Sequence, residues 1–361
     1  MSRLLTYYSQ TKYPYKIVVL DSSTQHHLET NAETIQAFKG HLEINHHALP
    51  GLSCSATLDY IRPSISTPYC ASVSDDDFLT TGGLLQCMTF LENNTDYTAA
   101  HGVGSIFALD RSGPYGEMIV LKRYPQSVLE AKRGYERLGQ YLKPPGPYAI
   151  FFSLFRTEAW RAAFRGISTL AGINSSNVFK DELIPGCVSA IRGRVKEIPV
   201  LSLVRQGHDA RYHQPDPYDW ITHANWFPSF QMYRDRMLEE LTGMDGLARD
   251  EAEQFIKQFF ARHLASKFAG SLREDGVPRR RRADSRIRRF VRGIPFLKRT
   301  WFRWEAMIRG SGSGISLKAL LKTSSPYHEE FMPVYRVVTK TARQAGGAGR
   351  PSAQDLATVN R

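Results

Sequence analysis

Cysteine is scarce in this chain: four residues in 361, at Cys54, Cys70, Cys87 and Cys187. Their spacings of 16, 17 and 100 match neither a zinc ribbon nor a dense disulfide framework, so they read as reduced cytosolic thiols. No apolar run approaches the roughly 20 residues of a membrane-spanning helix. The longest, Tyr148 to Phe155, has the length of a strand. The opening MSRLLTYYSQTKYPYK lacks the apolar core of a signal peptide. There is no internal repeat, which argues against a solenoid. Hydrophobic residues at 42% with 23% charged exclude a chain disordered throughout.

What is present in excess is positive charge, and it is local. Of the formal net charge of +12, nearly all comes from Arg279 to Arg309, where twelve bases face only Asp284 and Glu305. Ile287, Phe290, Val291, Ile294, Phe296, Leu297, Trp301, Phe302 and Trp304 are interleaved with those bases. Such a mixture suits the boundary between headgroups and acyl chains, at about 1 kcal/mol per base on an anionic leaflet. An anionic membrane surface is therefore the expected partner. A solvated face whose aromatics pack on the domain is the plainer alternative. No nucleic acid is expected, because no nucleic-acid motif accompanies the bases.

Lys16 to Leu20 (KIVVL) is an apolar run bounded by Pro14 and by Asp21-Ser22-Ser23, as for a buried parallel strand ending in a loop. Ligands collect at the carboxyl ends of such strands. Thr67 to Val73 reads as a second strand running into Ser74-Asp75-Asp76-Asp77, and Gly82 to Asn93 has helical spacing through Leu84, Leu85, Met88 and Leu91. Further strands are expected at Tyr97 to Ala100, Met118 to Leu121 and Ala149 to Leu154, and a helix at Thr157 to Phe164. The alternation implies an α/β domain over residues 1–215. Helical stripes at Phe230 to Leu241 and Arg249 to Phe268 then point to a helical region over 216–340. The Ala/Gly/Gln/Ser-rich stretch 341–361 reads as a disordered tail.

Three adjacent carboxylates at a strand end repel one another unless a cation sits among them. Asp75, Asp76 and Asp77 are thus a candidate site for a hard divalent metal, magnesium or manganese, which takes oxygen ligands and bridges to phosphates. If the strand conformation persists, Asp75 and Asp77 share a side and Asp76 takes the other. A turn or helix cap with exposed charges is the alternative reading.

The order of motifs resembles a known family, the GT-A glycosyltransferases, and within them the bacterial capsular and cell-wall polysaccharide type (glycosyltransferase family 2-like). The resemblance spans Lys16 to Tyr212. It rests on IVVLDSS at 17–23, TPYCASVSDDDFL at 67–79, FLENNTDY at 90–97, FRTEAW at 155–160, FKDELIPG at 179–186 and VRQGHDARY at 204–212. It implies a Rossmann-like, mixed and mainly parallel sheet flanked by helices. It further implies a metal-dependent transfer of sugar from a nucleotide-sugar donor to a glycan or polyprenyl-linked acceptor.

By that resemblance, Asp21 with Ser22 and Ser23 holds the donor nucleoside, although an Asx-turn ending the strand would use the same aspartate. Asp75 and Asp77 resemble the DXD motif, with Asp77 the likelier direct metal ligand, Asp75 the ribose- or metal-side partner and Asp76 a donor contact. Glu182, with Asp181 as understudy, takes the place of the catalytic base of an inverting enzyme, unless FKDE merely opens a helix whose first turn favours acids. Arg205 and Gln206 would close over the diphosphate, and His208 would be a further metal ligand or a phosphate hydrogen-bond donor. Trp160, Trp220 and Trp226 would either stack on sugars or belong to the core.

Met1 to Tyr8 already reads as the helix that follows the family's opening strand, so that strand is expected to be missing, either through a start assigned too late or through a natural truncation. That departure leaves a non-catalytic binding module of the same fold as the alternative function. The expected location is the cytoplasm, peripheral on the inner face of a bacterial plasma membrane.

Overall fold

The computed structural model describes residues 1–169, 178–208, 215–275 and 315–345. The basic aromatic segment 279–309 and residues 346–361 lie outside the described residues. The first part of the chain forms α1 (Ser2–Gln10), β1 (Ile17–Asp21), α2 (Gln25–Phe38), β2 (Ile44–Ala48), α3 (Cys54–Ile61), β3 (Tyr69–Ala71), β4 (Phe78–Leu79) and α4 (Thr81–Asn93). Next come β5 (Tyr97–Leu109), β6 (Met118–Tyr124), α5 (Gly134–Tyr141), β7 (Leu154–Arg156) and α6 (Thr157–Ala163). After a π-turn at Phe179–Leu183 follow α7 (Ile184–Arg192), β8 (Arg194–Gln206), α8 (Pro217–Thr222), α9 (Trp226–Asp245), α10 (Arg249–Asp275), α11 (Leu317–Leu320) and α12 (His328–Ala345).

The class is mixed α/β, as expected, with helices packed on the sheet strands. β1 and β2 pair in parallel, with α2 as the crossover that parallel strands require. The larger sheet runs β3-β7-β5-β8-β4, with β6 also on β5. Its longest pairing, β5 with β8, is parallel, while β3–β7, β5–β7, β5–β6 and β4–β8 are antiparallel. The sheet is therefore mixed rather than mainly parallel. β5 is the axis: β7 borders its start, β6 its end, and β8 follows its other edge. It is buried almost throughout, which is why Ala, Gly and Val occupy it without polar alternation.

Several local expectations need correction. β1 is half-buried rather than buried, with Val18 38% exposed. The strand expected at Ala149 to Leu154 begins only at Leu154, because residues 151–153 turn. Helix α12 continues to Ala345, through the start of the stretch read as a tail. Helices beyond residue 215 pack into the same cores as the part before it. Tyr233, Met237, Ala252 and Phe260 of α9 and α10 share one cluster with Trp160, Phe179 and Val188, and Phe331 and Val334 of α12 share another with Leu4, Phe107 and Val204.

Two contacts bring the acidic loop to its place. Thr80 caps α4, its hydroxyl accepting from Gly83 N at 3.2 Å and donating to Leu201 O at 2.6 Å. A Cβ at Gly83 would lie 2.6 Å from that same carbonyl, so only glycine lets α4 start against β8. Glu330 of α12 accepts from Gly82 N at 3.2 Å, placing a carboxylate at the positive end of α4.

Candidate functional site

Antiparallel pairing of β4 with β8 sets Phe78 opposite Val204 and Leu79 opposite Leu203. One step outward along that register, Asp77 meets Arg205. Arg205 Nε donates to Asp77 Oδ2 at 2.7 Å, and the Gln206 amide donates to Asp77 Oδ1 at 3.0 Å. The guanidinium lies over Phe152 at 4.4 Å and Tyr124 at 4.8 Å. Burial works against the Arg205 charge, but Asp77 more than offsets it and the pKa rises. Burial pushes the Asp77 carboxyl up to about 6, opposed by Arg205 and assisted by Asp76.

The three aspartates are thus separated in depth. Asp75 is 75% exposed at its side chain and pairs with the Met1 amino group at 3.0 Å, whereas Asp77 is 0% exposed. The expected sharing of one side by Asp75 and Asp77 does not occur, because the chain leaves strand geometry. A turn closes with Asp77 N bonded to Ser74 O at 3.1 Å. Asp77, the expected direct ligand, has both oxygens taken by protein donors. It is Asp76 that meets His208: Nε2 lies 2.5 Å from Asp76 Oδ2, with the side chains 31% and 33% exposed.

Gln206, expected at the donor, is spent inside the protein. Its Oε1 accepts from Arg3 at 2.5 Å and its Nε2 donates to Gly113 O at 2.9 Å. Asp21 is likewise occupied. It accepts from Ser23 N at 3.1 Å, forming the Asx-turn, and from Asn31 Nδ2 at 2.9 Å, with His46 Nε2 at 3.4 Å. Burial favours the neutral acid, yet the bonds from Ser23 and Asn31, with the nearby His46 ring, prevail and hold the carboxyl below its ordinary value. Ser23 Oγ accepts from Asn31 at 3.2 Å, and Ser22 is exposed beside it.

Asp181 and Glu182 ride on the π-turn, whose closing bond runs from Ile184 N to Phe179 O. Pro185 follows immediately and has no N–H to continue a regular α ladder. The two acids have different neighbours. Burial raises the Cys54 thiol and the Asp181 charge adds to it. Glu182 acts instead on Tyr141, which burial also raises, and on Lys267 of α10, where it opposes the downward pull of burial. Trp160 of α6 donates to Ser72 Oγ at 3.1 Å, two residues before the acidic turn. Trp160 and Trp220 are buried, and Trp226 stacks on Phe230 at 5.2 Å, so these indoles serve the core.

One turn of α10 before Lys267 lies His263, 1% exposed, whose Nε2 has no hydrogen-bond partner among the described residues. Burial, with Lys267 adding, pulls this imidazole down to about 4. The unfolded chain takes up that proton near 6.5, so stability present above that pH is lost as pH falls through about 4. Urea denaturation from pH 7 to 4.5 should show wild type losing about 2 kcal/mol more than His263→Leu. Parallel pH profiles would remove His263 as the cause.

No family model matches the chain, and neither does any curated protein. Likeness among solved structures runs to S. aureus TarS. TarS 1–349 in complex with UDP-GlcNAc is 13% identical over 71% of this chain and 67% of its own, with a TM-score of 0.43. TarS 1–349 is 14% identical over 95% and 88%, TM-score 0.42. The complex of TarS 1–349 with UDP is 13% identical over 71% and 66%, TM-score 0.39. These scores lie too low to assign a family or an activity.

The site must therefore be judged on its own donors. A carboxylate oxygen and an imidazole nitrogen converge, both partly open to solvent. These two atoms bond to each other, so a divalent cation would have to replace that hydrogen bond, with water and phosphate oxygens filling its remaining positions. Among the described residues no group of three or more His, Cys, Asp and Glu gathers to hold a metal by protein ligands alone. Sequence reasoning missed Arg3, Tyr124 and Phe152, which hold the loop and Arg205 in place. Arg3 carried a signal: it sits among Leu4, Leu5, Tyr7 and Tyr8, the buried residues of α1.

Proposed function

We propose that the chain is a metal-dependent glycosyltransferase that moves a sugar from a nucleotide-sugar donor to a glycan or polyprenyl-linked acceptor with inversion. The observation that carries this reading is the meeting of Asp76 with His208, each a few residues along the chain from the Asp77–Arg205 pair. A diphosphate leaving group needs cations where its charge grows. Asp76 and His208 would hold manganese or magnesium, which when bound supplies the positive charge that neutralises the departing diphosphate.

Arg205, fixed by Asp77 and two rings, stabilises the same anion. The loop 21–23 receives the nucleoside end, with Asp21 shaping the turn and Ser22 open to solvent. Glu182 takes the proton from the acceptor hydroxyl as its oxygen bonds the anomeric carbon. The bond from that carbon to the diphosphate oxygen breaks, its electron pair staying on the diphosphate. A single displacement of this kind inverts the anomeric centre.

Membrane attachment through 279–309 would bring the chain to an anionic polyprenyl-phosphate acceptor at the cytoplasmic face of the membrane. Among the described residues no helix is long and apolar enough to cross a membrane.

Calorimetry with manganese and UDP, GDP, CDP or dTDP tests the reading. Wild type should bind one of them, and a chelator should abolish the heat. Asp76→Ala and His208→Ala should each weaken binding at least about a hundredfold while their melting curves stay near wild type, because both side chains are partly exposed. A wild type that binds none of the four at millimolar concentration would be a binding module of another kind, and the transferase reading would fall.

A further inference from the structure

Arg3 is a cation in an unfavourable place. It is 3% exposed, and burying a guanidinium is costly unless its donors are satisfied. Among the described residues its hydrogen bonds reach no carboxylate. Nη1 donates to Gln206 Oε1 at 2.5 Å and to Pro114 O at 2.6 Å, and Nη2 donates to the Asp76 main-chain oxygen. The Phe78 ring lies 5.0 Å from the guanidinium carbon. Burial lowers the pKa of Arg3, with the charges of Asp76, Asp77 and Asp75 among those opposing it.

Gln206 extends the arrangement, since its side-chain amide also holds Gly113 O at 2.9 Å and its backbone N–H holds Asp77 at 3.0 Å. One buried side-chain pair thus ties three separate segments: the acidic turn, the loop between β5 and β6, and the end of β8. Two of them carry the proposed metal-holding groups. Asp76 is itself gripped through its carbonyl, and His208 stands two residues beyond Gln206.

We infer that Arg3, acting through Gln206, is a positioning residue that holds the segments bearing Asp76 and His208 together for binding of a divalent cation with a nucleoside diphosphate. This rests on the reading of the site under Proposed function. Arg3 touches neither the carboxylate nor the imidazole. It works because a guanidinium offers a rigid planar fork that can serve a side-chain amide and two carbonyls at once. A lysine in its place keeps the charge and loses the fork.

The test compares wild type with Arg3→Lys, Gln206→Met and Gln206→Glu in the full chain. Binding of manganese with whichever of UDP, GDP, CDP or dTDP the wild type accepts is followed by calorimetry, and folding by thermal melting. Arg3→Lys and Gln206→Met should melt cooperatively and bind about 10- to 100-fold more weakly. Gln206→Glu keeps an acceptor for the fork but loses the donor to Gly113 O, and should bind more tightly than Gln206→Met and more weakly than wild type. Wild-type affinity in a folded Arg3→Lys or Gln206→Met protein overturns the inference and leaves the transferase reading standing. So does failure of both variants to fold, which would make the pair a clamp for the fold alone. Absence of binding in the wild type sinks the transferase reading itself, and this inference with it.

Discussion

Replacing Asp77 with alanine is expected to cost about 3–5 kcal/mol of stability at pH 7.5, the range for removing one partner of a buried ion pair. The loss exceeds that of an ordinary hydrogen bond because Arg205 cannot retreat. Its guanidinium is held over Phe152 and Tyr124, and without Asp77 its charge and the Gln206 N–H lose their acceptors together. Asp77→Asn retains an oxygen acceptor and should lose less. Asp76→Ala, one residue away, removes a side chain that is 33% exposed and should change the urea midpoint little. Equal destabilisation by Asp76→Ala and Asp77→Ala would refute the separation of an inner aspartate that builds the loop from an outer one that meets the ligand.

Phe179→Ala is expected to be as damaging, at about 3–5 kcal/mol for a large-to-small change in a closed core. Phe179 is buried, with ring centroids 5.2 Å from Trp220, 5.7 Å from Tyr233 and 6.0 Å from both Phe260 and Trp226. Those rings come from α8, α9 and α10, so the cavity would open where three helices meet the π-turn. The same residue anchors the turn that carries Asp181 and Glu182. Any sugar transfer should therefore fall with stability in Phe179→Ala. Phe179→Leu, which refills most of the space, should recover much of both. Denaturant midpoints and turnover measured on the two variants would expose the error if Phe179→Ala proved near neutral.

Local order was legible wherever a segment carries its own signal. The helical stripes at Gly82 to Asn93 and Arg249 to Phe268 appear as α4 and α10, and the KIVVL run appears as a strand in parallel pairing. The stretch 24–61 carried no such signal. α2 buries only Leu28 and Ile35, and β2 (INHHA) owes its strand state to pairing with β1. β5 extends to Leu109 because β8 and β6 run beside its second half, far beyond the four residues its own pattern suggested.

The chain alone determined which chemistry was available: a triplet of aspartates after a strand, an acidic pair before Ile184-Pro185, and an Arg-Gln-x-His run closing another strand. Only the tertiary structure decided which member of each group faces inward. Pairing of β4 with β8 drew Asp77 under Arg205, and the turn from Ser74 rotated Asp76 toward His208. Period-two alternation could not foresee this, because it holds only while a strand stays extended. Where the backbone turns, the direction of a side chain is settled by the partners it meets across the fold.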